Sequence, residues 1–586
     1  MKWGPDRWRL YGLACREAGR AIWGALARRP RFLAGSTRRV LIAPQDLRTS
    51  DPTVAGEIYA GTFAFAGRAV STGGRSPFAL DPPTRAWGEA LYGFGWLRHL
   101  RAAETALARA NARALVAEFL ARRPRHAALA RSTPLVARRT LSFLAQAPLL
   151  LEGADHKFYQ RFLRALEQSA RELSRAMRLS SQPLHRLTAA IALAYVGLCC
   201  EGMERLLRRA NRALARELDR QILPDGGHRN RNPQVVIELL LDLLPLRQTY
   251  AGRGLEPPPA LTGAIDRMLP FLRLLRHGDG SLARFNGMDV SAAGELATLL
   301  MYEGARGRAM RRAPHSGYER LEAGETVVVA EVGPAPPVDD AAEAHAGCLS
   351  FELSSGAQGL VVNCGAARTA ADETRLAARS TAAHSTATVG GTSSGRLLTR
   401  HGWFLDRWIA AWLIRRLGPA LVRGPRAVPV EREEPTDGNG AQHLTASHDG
   451  YRALRIVHGR RWRLSGRGDR LDGEDTFAGT GKSRAAEPAT IRFHLAPGVR
   501  ASRVEGGAIL LVLPNREAWQ FTANVEAGLE ESVFFAASEG LRRTEQIVLA
   551  TDTAATPQVT WRFERLPRAP ERGEARRGTE APRPML

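Results

Sequence analysis

The strongest constraint on this chain is a change of period part-way along it. From about residue 83 to 305, apolar residues recur at three- and four-residue spacing in segments rich in Ala, Leu and Arg. AWGEALYGFGWLRHLRAAETALARANARALVAEFLARR opens the series, and similar segments lie near 134–150, 156–177, 185–201, 203–222, 233–247, 258–276 and 291–304. Such spacing gathers apolar side chains on one helix face. The breaks are RRPRH, LEGADH, SSQPLH, DGGHRNRNP, AGRGLEPPP and HGDGS, clusters of helix-ending residues. After about 320 the segments become short and β-branched or aromatic, as in ETVVVAEVG, GLVVNCG, ATIRFHLAPG, GAILLVLP and QVTWRFERL. That texture predicts strands, and this many strands predict a sandwich or stacked sheets.

The expected organisation follows. Residues 1–50 form a basic N-terminal segment, 51–318 a helical domain and 319–565 an all-β domain with a helical insert at 402–422. The Pro- and charge-rich tail, 566–586, is expected to be disordered. Short links imply antiparallel helix pairs. Without a fixed-period repeat, spacing alone leaves a bundle, a solenoid and a closed toroid open.

Charge bears on partners rather than fold. The net charge is +24, and only Lys2, Lys157 and Lys482 are lysines, so the excess is arginine. Coding bias explains this as well as an acidic partner does, and arginine's planar fork suits carboxylate, sulfate and phosphate. The five cysteines show neither CxxC nor a disulfide-framework spacing. The longest apolar run, LTAAIALAYVGLCC, is too short to span a membrane. The N-terminus is interrupted by Arg9, Arg16, Glu17 and Arg20, so no clear signal peptide is expected. Its Trp3, Trp8, Tyr11 and Trp23 allow peripheral contact with a membrane surface or packing on the chain's own domain. AGTGKS lacks the first glycine of a phosphate loop, since Thr476 holds that place. No nucleic-acid module is recognisable, so a nucleic-acid partner is not expected.

The loop Asp225-Gly226-Gly227-His228-Arg229-Asn230-Arg231-Asn232-Pro233 holds more polar side chains than a plain helix link needs. On rigid supports such a loop suggests a site. Read from the residues, Asn230 and Asn232 can donate to a carboxylate, Arg231 can pair with it and His228 can move a proton near neutral pH. The alternative is that Asn and Gly only turn and cap the chain.

LYGFGWLRHL, PDGGHRNRNP, AHAGCLSFEL with GLVVNCG, ARSTAAHSTATVGG and HDGYRALRIVHGRRWRL, in this order, resemble the heparinase II/III group of polysaccharide lyases. The resemblance implies an N-terminal (α/α) toroid followed by a C-terminal antiparallel β-sandwich, with a cleft between them. It implies β-elimination on an acidic, uronic-acid-containing polysaccharide, with no cofactor required. The uronate charge must be neutralised, a base must take the C5 proton and an acid must protonate the leaving oxygen. The resemblance also implies the cell envelope or periplasm, whereas the missing signal leaves the cytoplasm open.

The chain departs from the family pattern at the chemistry. Leu184 stands where the family has Asn, and Val235 where it has Tyr. The family's His-x-His-Ala-Asp is Glu343-Ala344-His345-Ala346-Gly347, a later Asp is Asn363, and His-Asn-Thr is His384-Ser385-Thr386. Unreplaced, the first two losses would remove roughly 5–9 kcal/mol of transition-state stabilisation. The expectation is therefore a lyase using substitutes or a catalytically impaired glycan-binding protein. The candidate catalytic residues are His228, Asn232, His345 and Tyr451. The candidate substrate-binding residues are His185, Arg186, Asn230, Arg231 and Asn286. His345 and His384 are candidate ligands of a structural zinc, which needs four donors.

Overall fold

The computed structural model describes residues 7–26, 37–121, 125–289, 293–302, 310–367, 372–400, 404–433, 440–480, 486–536 and 540–567. Trp3 and most of the expected tail lie outside them. The helices that matter below are α1 (Arg7–Leu26), α2 (His156–Leu179), α3 (Pro183–Cys199), α4 (Glu204–Gln221), α5 (Pro233–Gly252), α6 (Pro259–Leu274) and α7 (Phe404–Leu417). The helical half is the expected (α/α) toroid. α3, the most apolar segment, runs through its middle with residues 189–199 buried throughout.

Local chemistry sets the helix ends. The Asp155 carboxylate caps α2 by accepting from Phe158 N, and Asn232 caps α5 by accepting from Gln234 N, with Pro233 in the first turn. The long segment from 85 to 121 is three helices, Arg85–Gly93, Leu97–Ala102 and Ala106–Ala121, not one. Phe94 and Glu104 adopt φ of 58° and 50°, left-handed values that no helix interior accepts. A hairpin, Thr62–Phe65 with Arg68–Ser71, also stands in the helical half. Its turn is Ala66-Gly67, which lacks the Asn-Gly or Asp-Gly signal of such turns.

Two large antiparallel sheets make most of the second half, beside a short pair, Arg396–Leu397 with Leu421–Arg423. In chain order the strands of the two large sheets are β1 (Arg312–Ala313), β2 (Tyr318–Ala323), β3 (Thr326–Glu331), β4 (Phe351–Ser355), β5 (Gln358–Val362), β6 (Ala387–Val389), β7 (Val430–Glu433), β8 (Gln442–His448) and β9 (Ile456–Leu464). Then come β10 (Arg470–Gly479), β11 (Pro488–Leu495), β12 (Arg500–Arg503), β13 (Ile509–Val512), β14 (Ala518–Ala523), β15 (Ala527–Phe534), β16 (Arg542–Asp552) and β17 (Gln558–Arg565). One sheet runs β15-β16-β11-β5-β4-β3-β2-β1, with β6 also on β11; the other runs β7-β8-β9-β10-β17-β14-β13-β12. Their inner faces share a core of Phe351, Trp462, Phe493, Phe521 and Trp561. The β-half begins at Arg312, a few residues before the expected boundary.

Ala313, Tyr318, Val327 and Val329 of β1–β3 are buried in the helical core rather than the sandwich core. The two halves therefore share one apolar interior where they meet. The N-terminal segment packs on the insert: Leu10 and Leu13 of α1 meet Ala410, Leu413 and Leu417 of α7, and Arg7 and Tyr11 bind Asp406 at 3.0 and 2.8 Å. Among the described residues no helix is long and apolar enough to cross a membrane.

Candidate functional site

The polar loop between α4 and α5 is buried and joins the two halves. Gly226 has φ 89°, and a Cβ there would lie 1.9 Å from Arg267 O of α6, so only glycine permits this seating. Asp225 accepts from Ser316 N at 2.7 Å and from Ser316 Oγ at 2.6 Å. Arg231, itself at φ 63°, donates to Ser316 O at 2.7 Å and to Pro334 O, and pairs with Glu331 Oε1 at 3.3 Å. Its guanidinium lies 5.3 Å from the centre of the Tyr318 ring, and the Tyr318 hydroxyl donates to Arg231 O. An arginine so engaged braces the domain interface and is not available to grip a substrate carboxylate, contrary to the expectation.

His228 is also occupied. Its Nδ1 accepts from Asn230 N at 3.1 Å, so the remaining proton sits on Nε2 and is donated to Gln221 Oε1 at 3.0 Å. Burial pushes its pKa down to about 4. Both nitrogens are used within the fold, so His228 is a pin for the loop and not the proton shuttle the sequence suggests. Asn230 spends its side-chain oxygen on Asn232 N at 3.0 Å. Asn232 spends its oxygen on the α5 cap, yet its Nδ2 is buried without a partner. A Cβ on Gly287 would lie 2.9 Å from that nitrogen and 3.1 Å from Glu343 Cβ. Glu343, which stands where the family has its first histidine, is partly exposed and pairs with Arg375 at 3.6 Å.

The network continues into the sheet. Asn286, at φ 47° and fully buried, donates to Glu331 Oε1 at 2.7 Å and to the Tyr318 hydroxyl at 3.0 Å. Its oxygen accepts from His345 N at 3.1 Å. His384 Nδ1 meets Ser380 O at 2.7 Å, which puts the proton on Nδ1 and leaves Nε2 to accept from His345 Nδ1 at 3.0 Å. Burial holds His384 down to about 4 and His345 well below its ordinary value. Burial also pushes Glu331 up, against the pull of Arg231 and Asn286.

The two histidines are adjacent, as a shared zinc requires, but the set does not fit the ion. Their facing nitrogens are joined by a proton. The third family position is Asn363, whose oxygen accepts from Ser385 N at 3.0 Å. Among the described residues no three His, Cys, Asp or Glu side chains could hold a metal. Where the family has Asp, a Cβ on Gly347 would sit 2.7 Å from His384 Cδ2 and 3.0 Å from Glu331 Oε2. The space of that carboxylate has closed.

The structure does not bring the other candidates to this place. Tyr451 is in the sandwich core and its hydroxyl donates to Ala387 O at 2.6 Å; burial raises its pKa. With its proton committed there, it is not the acid of a cleft. Arg186 is held by Glu217 at 3.2 Å and Ser180 O at 3.0 Å. Glu217 in turn accepts from Gln221, the partner of His228, so Arg186 supports the loop from behind. The His185 ring is partly exposed, and burial with the nearby Arg85 pushes it down to about 4. The sequence reading missed Glu331, Tyr318, Asp225 and Ser316. The signal for Asp225 was in the quoted loop. Glu331 and Tyr318 sit in strands that read only as sheet.

Residues 305–562 match the model of the heparinase II/III-like C-terminal domain. The FtsZ-localized protein C of Caulobacter vibrioides is 32% identical over 532 residues, covering 86% of each chain. The crystal structure of heparinase III superposes with a TM-score of 0.65 at 14% identity, over 86% of this chain and 80% of that one. The heparan sulfate lyase of Pedobacter heparinus gives 0.57 at 15% identity, over 94% and 88%. This chain belongs to the heparinase II/III-like family.

Proposed function

We propose that this chain is a lyase-fold protein that has given up β-elimination and works as a binding component alongside FtsZ. The observation that carries the reading is the state of the inherited site. Leu184, Val235 and Glu343 stand at three positions where the family has Asn, Tyr and His; Arg231 and Asn286 are consumed in joining the halves, and His228 in pinning the loop. The FtsZ association comes from the relative's name. It supports the compartment of FtsZ over that of a secreted lyase. A fluorescent fusion in the source cell should gather with FtsZ, and purified protein given a panel of uronic-acid polymers should release no unsaturated, ultraviolet-absorbing product. Turnover on any of those polymers would restore the lyase reading, and a diffuse fusion would end the FtsZ reading.

A second observation favours peripheral contact with a membrane surface. α1 and α7 pair through their apolar faces and still leave Trp8 82%, Phe404 87% and Trp408 61% exposed. Such aromatic rings suit a lipid interface. Sedimentation with anionic vesicles, lost on Trp8→Ala with Trp408→Ala, tests it; unchanged sedimentation of that variant would refute it.

A further inference from the structure

Apart from the residues of the domain interface, α2, α3 and α4 line a cavity of about 340 Å3. Four arginines stand at its exposed side: Arg178 of α2 and Arg209, Arg212 and Arg216 of α4. The spacing of the last three puts them on one helix face. Among the described residues no carboxylate lines the cavity. Among the described residues none of the four guanidiniums meets an acid. Arg178 donates to Ser174 O, Arg212 to Arg208 O and Arg216 to Arg212 O, at 3.1 to 3.3 Å. Arg48 and Arg138, by contrast, share the Asp242 carboxylate.

The inner wall is different. Leu193 and Ala210 are fully buried and Leu206 nearly so, beside Met177. Ser174 is 7% exposed, and its hydroxyl is buried without a partner. A serine within a helix ordinarily donates to the carbonyl one turn back or points to solvent. This one lines an apolar cavity with its hydrogen bond unmade, and buried polar groups rarely stay so.

We infer that this cavity binds a small organic phosphate. The head would lie among the four guanidiniums, whose forks match phosphate oxygens with two donors each. The body would lie against Met177, Leu193 and Leu206, with a polar atom meeting Ser174 Oγ. The volume is that of a small-molecule site, typically about 300–1,000 Å3. The site shares no residue with the inherited lyase site, and its test is independent of that reading.

Titration calorimetry of the full chain with phenyl phosphate, inorganic phosphate and benzoate tests the inference. Phenyl phosphate should bind at least about tenfold more tightly than either of the others. The Arg209→Gln, Arg212→Gln double variant, whose changes are at the surface and spare the fold, should lose about tenfold or more. Ser174→Leu fills the cavity and should abolish phenyl phosphate binding; the arginine variant keeps the test decisive if Ser174→Leu does not fold. Arg205→Gln with Arg208→Gln, on the same helix outside the cavity, should bind as the parent does. No heat with phenyl phosphate, equal affinity for phenyl and inorganic phosphate, benzoate binding as tightly, or indifference to the Arg209/Arg212 pair would overturn it.

Discussion

Two buried, histidine-bearing polar centres sit in this molecule, and they differ in what is left over. In the sandwich core, His448 Nε2 faces His458 Nδ1 at 3.3 Å, and His458 donates to Asp475 at 2.6 Å. Arg460 grips the same carboxylate with two nitrogens at 2.8 and 3.0 Å, and Trp561 Nε1 donates to it at 2.8 Å. Every polar side-chain atom of these five residues has a partner. At the domain interface the network is as dense, yet Asn232 Nδ2, Glu331 Oε2 and nearby Asn363 Nδ2 are buried without one. A network evolved only to hold a fold has no reason to keep idle donors and acceptors, since each costs desolvation. The five-residue sandwich network is satisfied scaffold; the interface network keeps three polar atoms unmet.

The largest expected effect breaks the satisfied centre. Asp475→Ala leaves the Arg460 cation buried and unpaired and should destabilise by roughly 3–5 kcal/mol in denaturant unfolding. A loss under about 1 kcal/mol would mean that the scaffold reading of that centre is wrong.

Acid attacks what the centres share. His228 and His384 are held neutral, with pKa values pushed down to about 4 from an ordinary 6.5. A depressed histidine contributes stability that is whole above its unfolded pKa and is lost as pH falls through the folded one. Thermal midpoints should therefore be level above about pH 7 and fall between about 6.5 and 4, each histidine contributing on the order of 3 kcal/mol. Asp475, held down to about 2 with Arg460 as the largest lowering influence, adds a further loss only below about pH 4. A midpoint that is flat from pH 7 to 4 would contradict this picture.

The smallest effect probes the leftovers. Asn232→Ser keeps the α5 cap and removes only the idle amide, so it should cost a few tenths of a kcal/mol, whereas Asn232→Ala should cost about 1 kcal/mol. Equal losses would show that Nδ2 is engaged after all.

The sequence announced the fold more fully than the site. The period change, the insert helix and the order of the motif stretches placed both halves, because apolar spacing reports burial directly. The breaks at Phe94 and Glu104 and the Ala66-Gly67 hairpin escaped, since no residue type there demands a left-handed backbone. The site was legible only as a list. Asn286, His345 and His384 do meet, joined through the His345 backbone and ring. Loop chemistry could not reveal that Arg231 reaches the strand residues Glu331 and Tyr318, because strand patterning hides side chains that face another domain. Tyr451 lies apart from them for a plainer reason: its hydroxyl is satisfied by the Ala387 carbonyl where it stands.

The sharing of Ala313, Tyr318, Val327 and Val329 with the helical interior bears on how the gene can be handled. The visible texture change invites division just ahead of Arg312, yet either product would carry a greasy scar shaped for the other. Expressed separately, the pieces should clump or be degraded, and should recover only when co-produced. Reporter tags therefore belong at the chain ends, not at the join.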